Sequence, residues 1–171
     1  VTSTASADPL GILSTAAGEW HPVLVAAAGL DAAQLPALDV PGAVSGTLSG
    51  SAARLTGLPE GLAVVAGAGD GQAMGLGMGV VEEGATYVSL GSGIVSGTYS
   101  SHYLTSDSFR TLTAPSGGFM LETVLRSGMQ LVDWTARVTG AQPLAALEEA
   151  ARDVPPGGGN LLVMPYWAGV M

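Results

Sequence analysis

Apolar residues fall along the chain in three textures: unbroken runs, alternations and helical spacing. Leu62-Ala63-Val64-Val65-Ala66 is an unbroken run, the pattern of a buried central strand. It ends in Gly67-Ala68-Gly69-Asp70-Gly71, and residues 72–78 that follow are small or unbranched, which suits a tightly packed helix. Gly75, Gly77 and Gly79 oppose that helix by up to about 1 kcal/mol each and are tolerable where a neighbour approaches closely. Residues 86–90 predict a second strand, Gly91-Ser92-Gly93 a tight turn, and residues 94–99 the returning strand of a hairpin. Residues 118–125 predict another strand. Leu125, Met129, Val132 and Ala136 recur at steps of four, three and four, predicting a helix over about 126–139 that Gly140 ends.

A further helix is predicted from about Pro143, with Leu144, Leu147 and Ala151 on one face and Glu148 four residues before Arg152. Pro155, Pro156 and three glycines break it, and residues 161–164 read as a last buried strand. Upstream, Pro22 opens a short helix to about Ala28, with Gly29 as terminator. Residues 30–61, punctuated by Pro36, Pro41, Gly42, Gly46, Gly57 and Pro59, read as a connection with short elements. Mixed strands and helices with a central hairpin define an α/β chain with a mixed sheet.

Composition narrows the chemistry. Of 171 residues, 47% are hydrophobic and 11% charged, which excludes disorder of the polar, charged kind. The net charge is -9, and all five cations are Arg. With no Lys, a Walker-type phosphate loop, a Schiff base and a kinase strand lysine are excluded within these residues. So acidic a chain has no positive footprint for nucleic acid. Without Cys there is no disulfide, thiolate nucleophile or zinc knuckle. His21 and His102 lie far apart with no partner at metal-ligand spacing, so no metal site is expected. No apolar run approaches the ~20 residues of a membrane span, and no signal peptide opens the chain. Both ends look cut, so the expectation is an internal piece of a longer cytoplasmic protein.

Asp70 is the sharpest chemical candidate. It follows a predicted buried strand, sits in a glycine turn and precedes a helix, and strand ends of α/β sheets are where ligands bind. A helix N-cap is an equal reading of the same pattern. The turn Gly91-Ser92-Gly93 offers backbone N–H groups and one hydroxyl without bulk, as phosphate-holding nests do, or is a plain hairpin turn. Glu82-Glu83 reads as a solvated turn, and Trp134, Trp167, Met74 and Met78 as packing residues. No GxxxxGK[ST], GxGxxG or GxSxG motif is present.

The succession of strand, Gly-Ala-Gly-Asp-Gly-Gln-Ala, Gly-rich helix, acidic turn, strand and Ser-Leu-Gly-Ser-Gly resembles the centre of the FGGY carbohydrate kinases, most closely their xylulokinase branch. Residues 2–6 resemble a Ser-rich segment ahead of a hairpin, and Gly57-Leu58-Pro59-Glu60-Gly61 an entry to the strand. Phe109-Arg110-Thr111-Leu112, Glu122-Thr123-Val124-Leu125 and residues 128–134 fit one subgroup, and residues 165–171 look like half of a family motif.

The resemblance implies the actin-like, ribonuclease-H-like ATPase fold, with residues 1–79 finishing a sugar-binding domain and 80–171 beginning a nucleotide-binding one. It implies ATP-dependent phosphorylation of a sugar hydroxyl, a ketopentose such as D-xylulose, with ATP and Mg²⁺ as cofactors. Asp70 matches the general base, Asp70 and Gln72 the sugar side, and Gly91, Ser92, Gly93 and Gly128 the ATP side. The implied partner is a small sugar, with no nucleic acid and no membrane, and a homodimer is an open assembly. Rival readings are a kinase of another sugar or polyol and a catalytically silent, truncated relative.

Overall fold

The computed structural model describes residues 1–141, 144–164 and 167. Two compact units divide the chain: Val1–Tyr87 with Gly97–Glu122, and Val88–Ser96 with Thr123–Met171.

The first unit is built around its buried first residues. Strand β1 (Thr2–Ser3) pairs in parallel with β4 (Leu38–Asp39) and leads into helix α1 (Thr4–Ala7), whose Ala5 and Ala7 are buried. Ser3 caps α1 by accepting the Ser6 N–H, and its hydroxyl donates to the Gly67 carbonyl. Buried Asp8 accepts the Thr15 hydroxyl at 2.6 Å and the Thr113 N–H at 2.5 Å. A small hairpin follows, β2 (Leu13–Ser14) against β3 (Glu19–Trp20). Helix α2 (Pro22–Ala27) starts at the expected proline, and Gly29 beyond it takes φ +73°.

The stretch 30–61 is more ordered than its turn residues suggest. It holds a 3-10 turn closed by a capping box between Asp31 and Gln34, β4, β5 (Val44–Thr47) and α3 (Gly50–Thr56). Strand β6 (Ala63–Val65) forms where the apolar run predicts it, antiparallel to β5. It is not buried: Val64 and Val65 are about half exposed. A run of apolar residues dictates extended backbone, but burial needs a covering layer, and none lies over this two-stranded ribbon among the described residues.

Helix α4 (Asp70–Gly77) begins two residues earlier than its pattern predicts, with Gly69 as N-cap. A four-stranded sheet follows, in the order β7, β8, β10, β9, from β7 (Thr86–Leu90), β8 (Ile94–Ser100), β9 (Arg110–Thr113) and β10 (Phe119–Leu125). The hairpin and the third strand match expectation; β9 is an addition. The acidic turn before β7 is held, not merely solvated. Glu83 accepts the Ser101 N–H at 2.6 Å, and this bond holds its carboxyl below the usual range.

In the second unit, α5 (Gln130–Thr139) starts four residues later than its periodicity suggests and ends at Gly140, φ +72°. Helix α6 (Leu144–Arg152) carries the pair Arg152–Glu149 at 3.0 Å, where spacing suggested Glu148. The rings of Trp134 and Trp167 meet at 5.3 Å. Residues 161–164 form no strand and are exposed, Leu162 to 91%, because no neighbouring strand pairs with them among the described residues. The motif over 165–171 lies outside the described residues apart from Trp167.

Candidate active site

The candidate residues fall into two groups, one in each unit. In the first, the glycines around Asp70 let the chain leave β6 and enter α4 without bulk. Asp70 is the first residue of α4 and exposed, and its Oδ1 accepts the Gly71 N–H at 2.9 Å. The N-cap reading is therefore displaced by one residue, since Gly69 takes that position. The Asp70 carboxylate is presented at a helix start in front of a strand end, where a general base could meet a hydroxyl.

Gly75 of α4 has a packing task. A methyl group at Gly75 would lie 2.9 Å from Met120 Cε and 3.3 Å from Tyr87 Cε1, and one at Gly71 would lie 3.6 Å from Glu122 Oε2. Alternate residues of a strand share a face, as do residues four apart on a helix. Met120 of β10 therefore packs closely on Gly75 of α4, while Glu122 faces Gly71 one turn earlier with room for a methyl between them. Gln72, expected on the sugar side, is buried and donates its Nε2 hydrogen to the Ala5 carbonyl at 2.8 Å, tying α4 to α1. Met74 is half-buried, while Met78, expected in the core, is half exposed past the helix end.

Sequence reasoning about chemistry missed Glu122 and Arg110. Register places them directly opposite across β9 and β10. Arg110 Nε donates to Glu122 Oε1 at 2.6 Å, and the Arg110 Nη2 shares the same oxygen. Glu122 is 4% exposed. The signal was present: Arg110 and Glu122 lie equally far from the turn between β9 and β10, so an antiparallel hairpin centred on that turn pairs them. Beside them the Tyr87 phenol is pushed up by burial, and further by the negative charges of Glu122 and Asp70, against the opposing Arg110.

The second group is brought together in full. Gly91 and Ser92 are exposed, and the turn is closed by the Gly91 N–H donating to the Gly93 carbonyl at 3.0 Å. Gly128 and Met129 donate their N–H groups to the Ser92 and Gly91 carbonyls at 2.7 and 2.9 Å. The Met129 N–H is thereby diverted from the Leu125 carbonyl that it would meet in a longer helix, and α5 starts late. A methyl group at Gly128 would lie 2.5 Å from the Gly91 carbonyl oxygen, and one at Gly93 would lie 3.0 Å from that of Leu125. The result is an exposed backbone turn with one small hydroxyl, braced from behind, a fitting cradle for phosphate oxygens. Among the described residues no cluster of three or more His, Cys, Asp or Glu could hold a metal ion. His21 caps α2 through Nδ1, and His102 Nδ1 meets the Ser101 hydroxyl, so neither histidine enters either group.

Comparison with known proteins assigns the fold. The chain superposes on the xylulose kinase from Rhodospirillum rubrum with TM-score 0.90 and 25% identity, over 99% of this chain and 36% of that one. This is the actin-like α/β ATPase fold of sugar kinases. Residues 1–77 match the FGGY family of carbohydrate kinases, N-terminal domain. The xylulose kinase of Klebsiella pneumoniae is 30% identical over 160 residues, 92% of this chain and 33% of that one. The autoinducer-2 kinase of Enterobacter sp. strain 638 is 41% identical over 83 residues, 48% of this chain and 16% of that one. By these matches the chain is similar to the FGGY family of carbohydrate kinases. It spans about a third of the length of these full relatives.

Proposed function

We propose that a protein carrying this chain transfers a phosphoryl group from ATP to a sugar hydroxyl, with a ketopentose such as D-xylulose as substrate and Asp70 as general base. The observation that carries this reading is Asp70 itself, an exposed carboxylate at the first residue of α4 with one oxygen fixed by its neighbour's N–H. Likeness to xylulose kinases along almost the whole chain supports the substrate. Bound ATP with Mg²⁺ supplies the phosphoryl group and the neutralisation of its charge.

The chain's own residues position and deprotonate. With Oδ1 held by Gly71, Oδ2 of Asp70 receives the proton of the attacking hydroxyl, worth about 10²–10⁴ in rate for a placed base. Phosphoryl transfer rests on positioning and electrostatics more than on covalent help. The Gly91-Ser92-Gly93 turn, closed by the Gly91 N–H, offers the N–H groups of Ser92 and Gly93 and the Ser92 hydroxyl to phosphate oxygens, with Gly128 bracing it. Gln72 serves this reading by anchoring α4 to α1 rather than by touching the sugar. Residues 1–79 belong to the sugar-side domain and 80–171 to the nucleotide-side domain, supported by the end of the family match at residue 77. Among the described residues no helix is long and apolar enough to cross a membrane.

A second substrate reading, another small sugar or polyol, is favoured by the 41% local identity to an autoinducer-2 kinase. A coupled ADP-release assay on a kinase carrying this chain, with a panel of ketoses, polyols and the autoinducer, tests both. Highest kcat/KM with D-xylulose is expected. Preference for another compound would replace the substrate, and no acceptor-dependent ADP release across the panel would overturn the kinase reading.

A further inference from the structure

We propose that Glu122, held by Arg110, is a positioning residue that sets the place of Asp70 through Gly71. The inference rests on the reading of Asp70 as the base. Gly71 has a neighbour on each side: its N–H is bound by Asp70 Oδ1 at 2.9 Å, and Glu122 Oε2 lies 3.6 Å from where a methyl on its Cα would be, room for one methyl and no more. Glu122 cannot drift, because Oε1 is taken by the Arg110 guanidinium from the opposing strand and the side chain is 4% exposed.

A carboxylate at 4% exposure is costly to bury, and here one partly exposed Arg answers its charge. An apolar side chain would fill the space under Gly71, but without the oxygen facing that glycine and without a bond fixing its rotamer. Met120 abuts α4 at Gly75, and Glu122 lies opposite Gly71 in its first turn, one residue from the base. Glu122 does not reach the substrate, and its effect passes through the Gly71 peptide. A small misplacement of a reacting group costs rate rather than affinity.

The test is steady-state kinetics of a kinase carrying this chain, with Glu122→Ala, Glu122→Gln, Arg110→Ala and Asp70→Asn compared side by side. Glu122→Ala should lower kcat roughly tenfold while KM for ATP and for sugar stays within about twofold. Glu122→Gln keeps an oxygen for Arg110 and should recover most of that loss. Arg110→Ala should match Glu122→Ala, and the double variant should add nothing further, since both remove one constraint. If Glu122→Ala fails to fold by circular dichroism, Glu122→Gln against Arg110→Ala carries the comparison, with kcat high in the former and low in the latter. Wild-type kcat in folded Glu122→Ala or Arg110→Ala, or a change confined to KM, would overturn the positioning role. Turnover retained by Asp70→Asn would instead overturn the base, so the two failures are told apart.

Discussion

Gly128 donates its backbone N–H to the carbonyl of Ser92 at 2.7 Å, and no side chain fits between them. Gly128→Ala should push the turn off the start of α5, because the obstacle is backbone rather than a yielding side chain. The expected cost is about 1–3 kcal/mol in urea unfolding. In a kinase carrying this chain, KM for ATP should rise while that for sugar holds. An alanine variant with unchanged unfolding midpoint would show that the brace yields freely.

Asp70→Asn should separate the helix from the chemistry. Asn retains an oxygen for the Gly71 N–H, so the unfolding midpoint should stay within about 0.5 kcal/mol, as for other surface changes. Turnover should fall by roughly 10²–10⁴. Thermal melts and an ADP-release assay on the same preparations check both halves.

Tyr87 gives a pH-dependent prediction. Burial holds its phenol above the ordinary value of 10.0, and its Oη has no hydrogen-bond partner. The unfolded chain loses this proton first. Stability is therefore fully present below about pH 10 and falls as pH rises toward the folded value. Tyr87→Phe should remove this part of the alkaline loss. At neutral pH it should be neutral or stabilising by up to about 1 kcal/mol, since an orphan hydroxyl is removed. Urea titrations at pH 7 and above 10 measure the difference; equal alkaline slopes would contradict it.

Asp8→Ala should be among the most damaging single changes in the first unit. It strips partners from the Thr15 hydroxyl and the Thr113 N–H inside the unit, at a cost of about 2–4 kcal/mol. Asp8→Asn, with one acceptor oxygen left, should lose less. Equal losses would mean that charge rather than acceptor number matters there.

Local signals carried the elements they encode. Proline at residue 22, the Gly-Ser-Gly turn and Gly140 each act on their own backbone, so their helix start, hairpin and helix stop were legible. The start of α5 was not, because hydrogen bonds from Gly128 and Met129 to residues some 36 positions earlier displace it. Residues 62–66 and 161–164 show the same limit in burial. Their apolar texture is plain, yet what covers a strand is decided by distant chain. Asp70 stood out through its glycine neighbours, whereas Glu122 was hidden by looking like one charge in a strand.

The bonds made by residues 3–8 bear on how the chain is born. Ser3 closes on Gly67, Ala5 on Gln72 and Asp8 on Thr113, the last across 105 positions. At a ribosomal pace of about 5–20 residues per second, Asp8 waits roughly 5–20 s for Thr113 to emerge. During that interval the small, neutral residues of α1 have little apolar area with which to stick to anything else. Alanine and serine here serve the nascent chain as much as the finished one: the segment that ties the first unit together completes its bonds in stages, from Leu38 through Gly67 and Gln72 to Thr113, and stays inert between them.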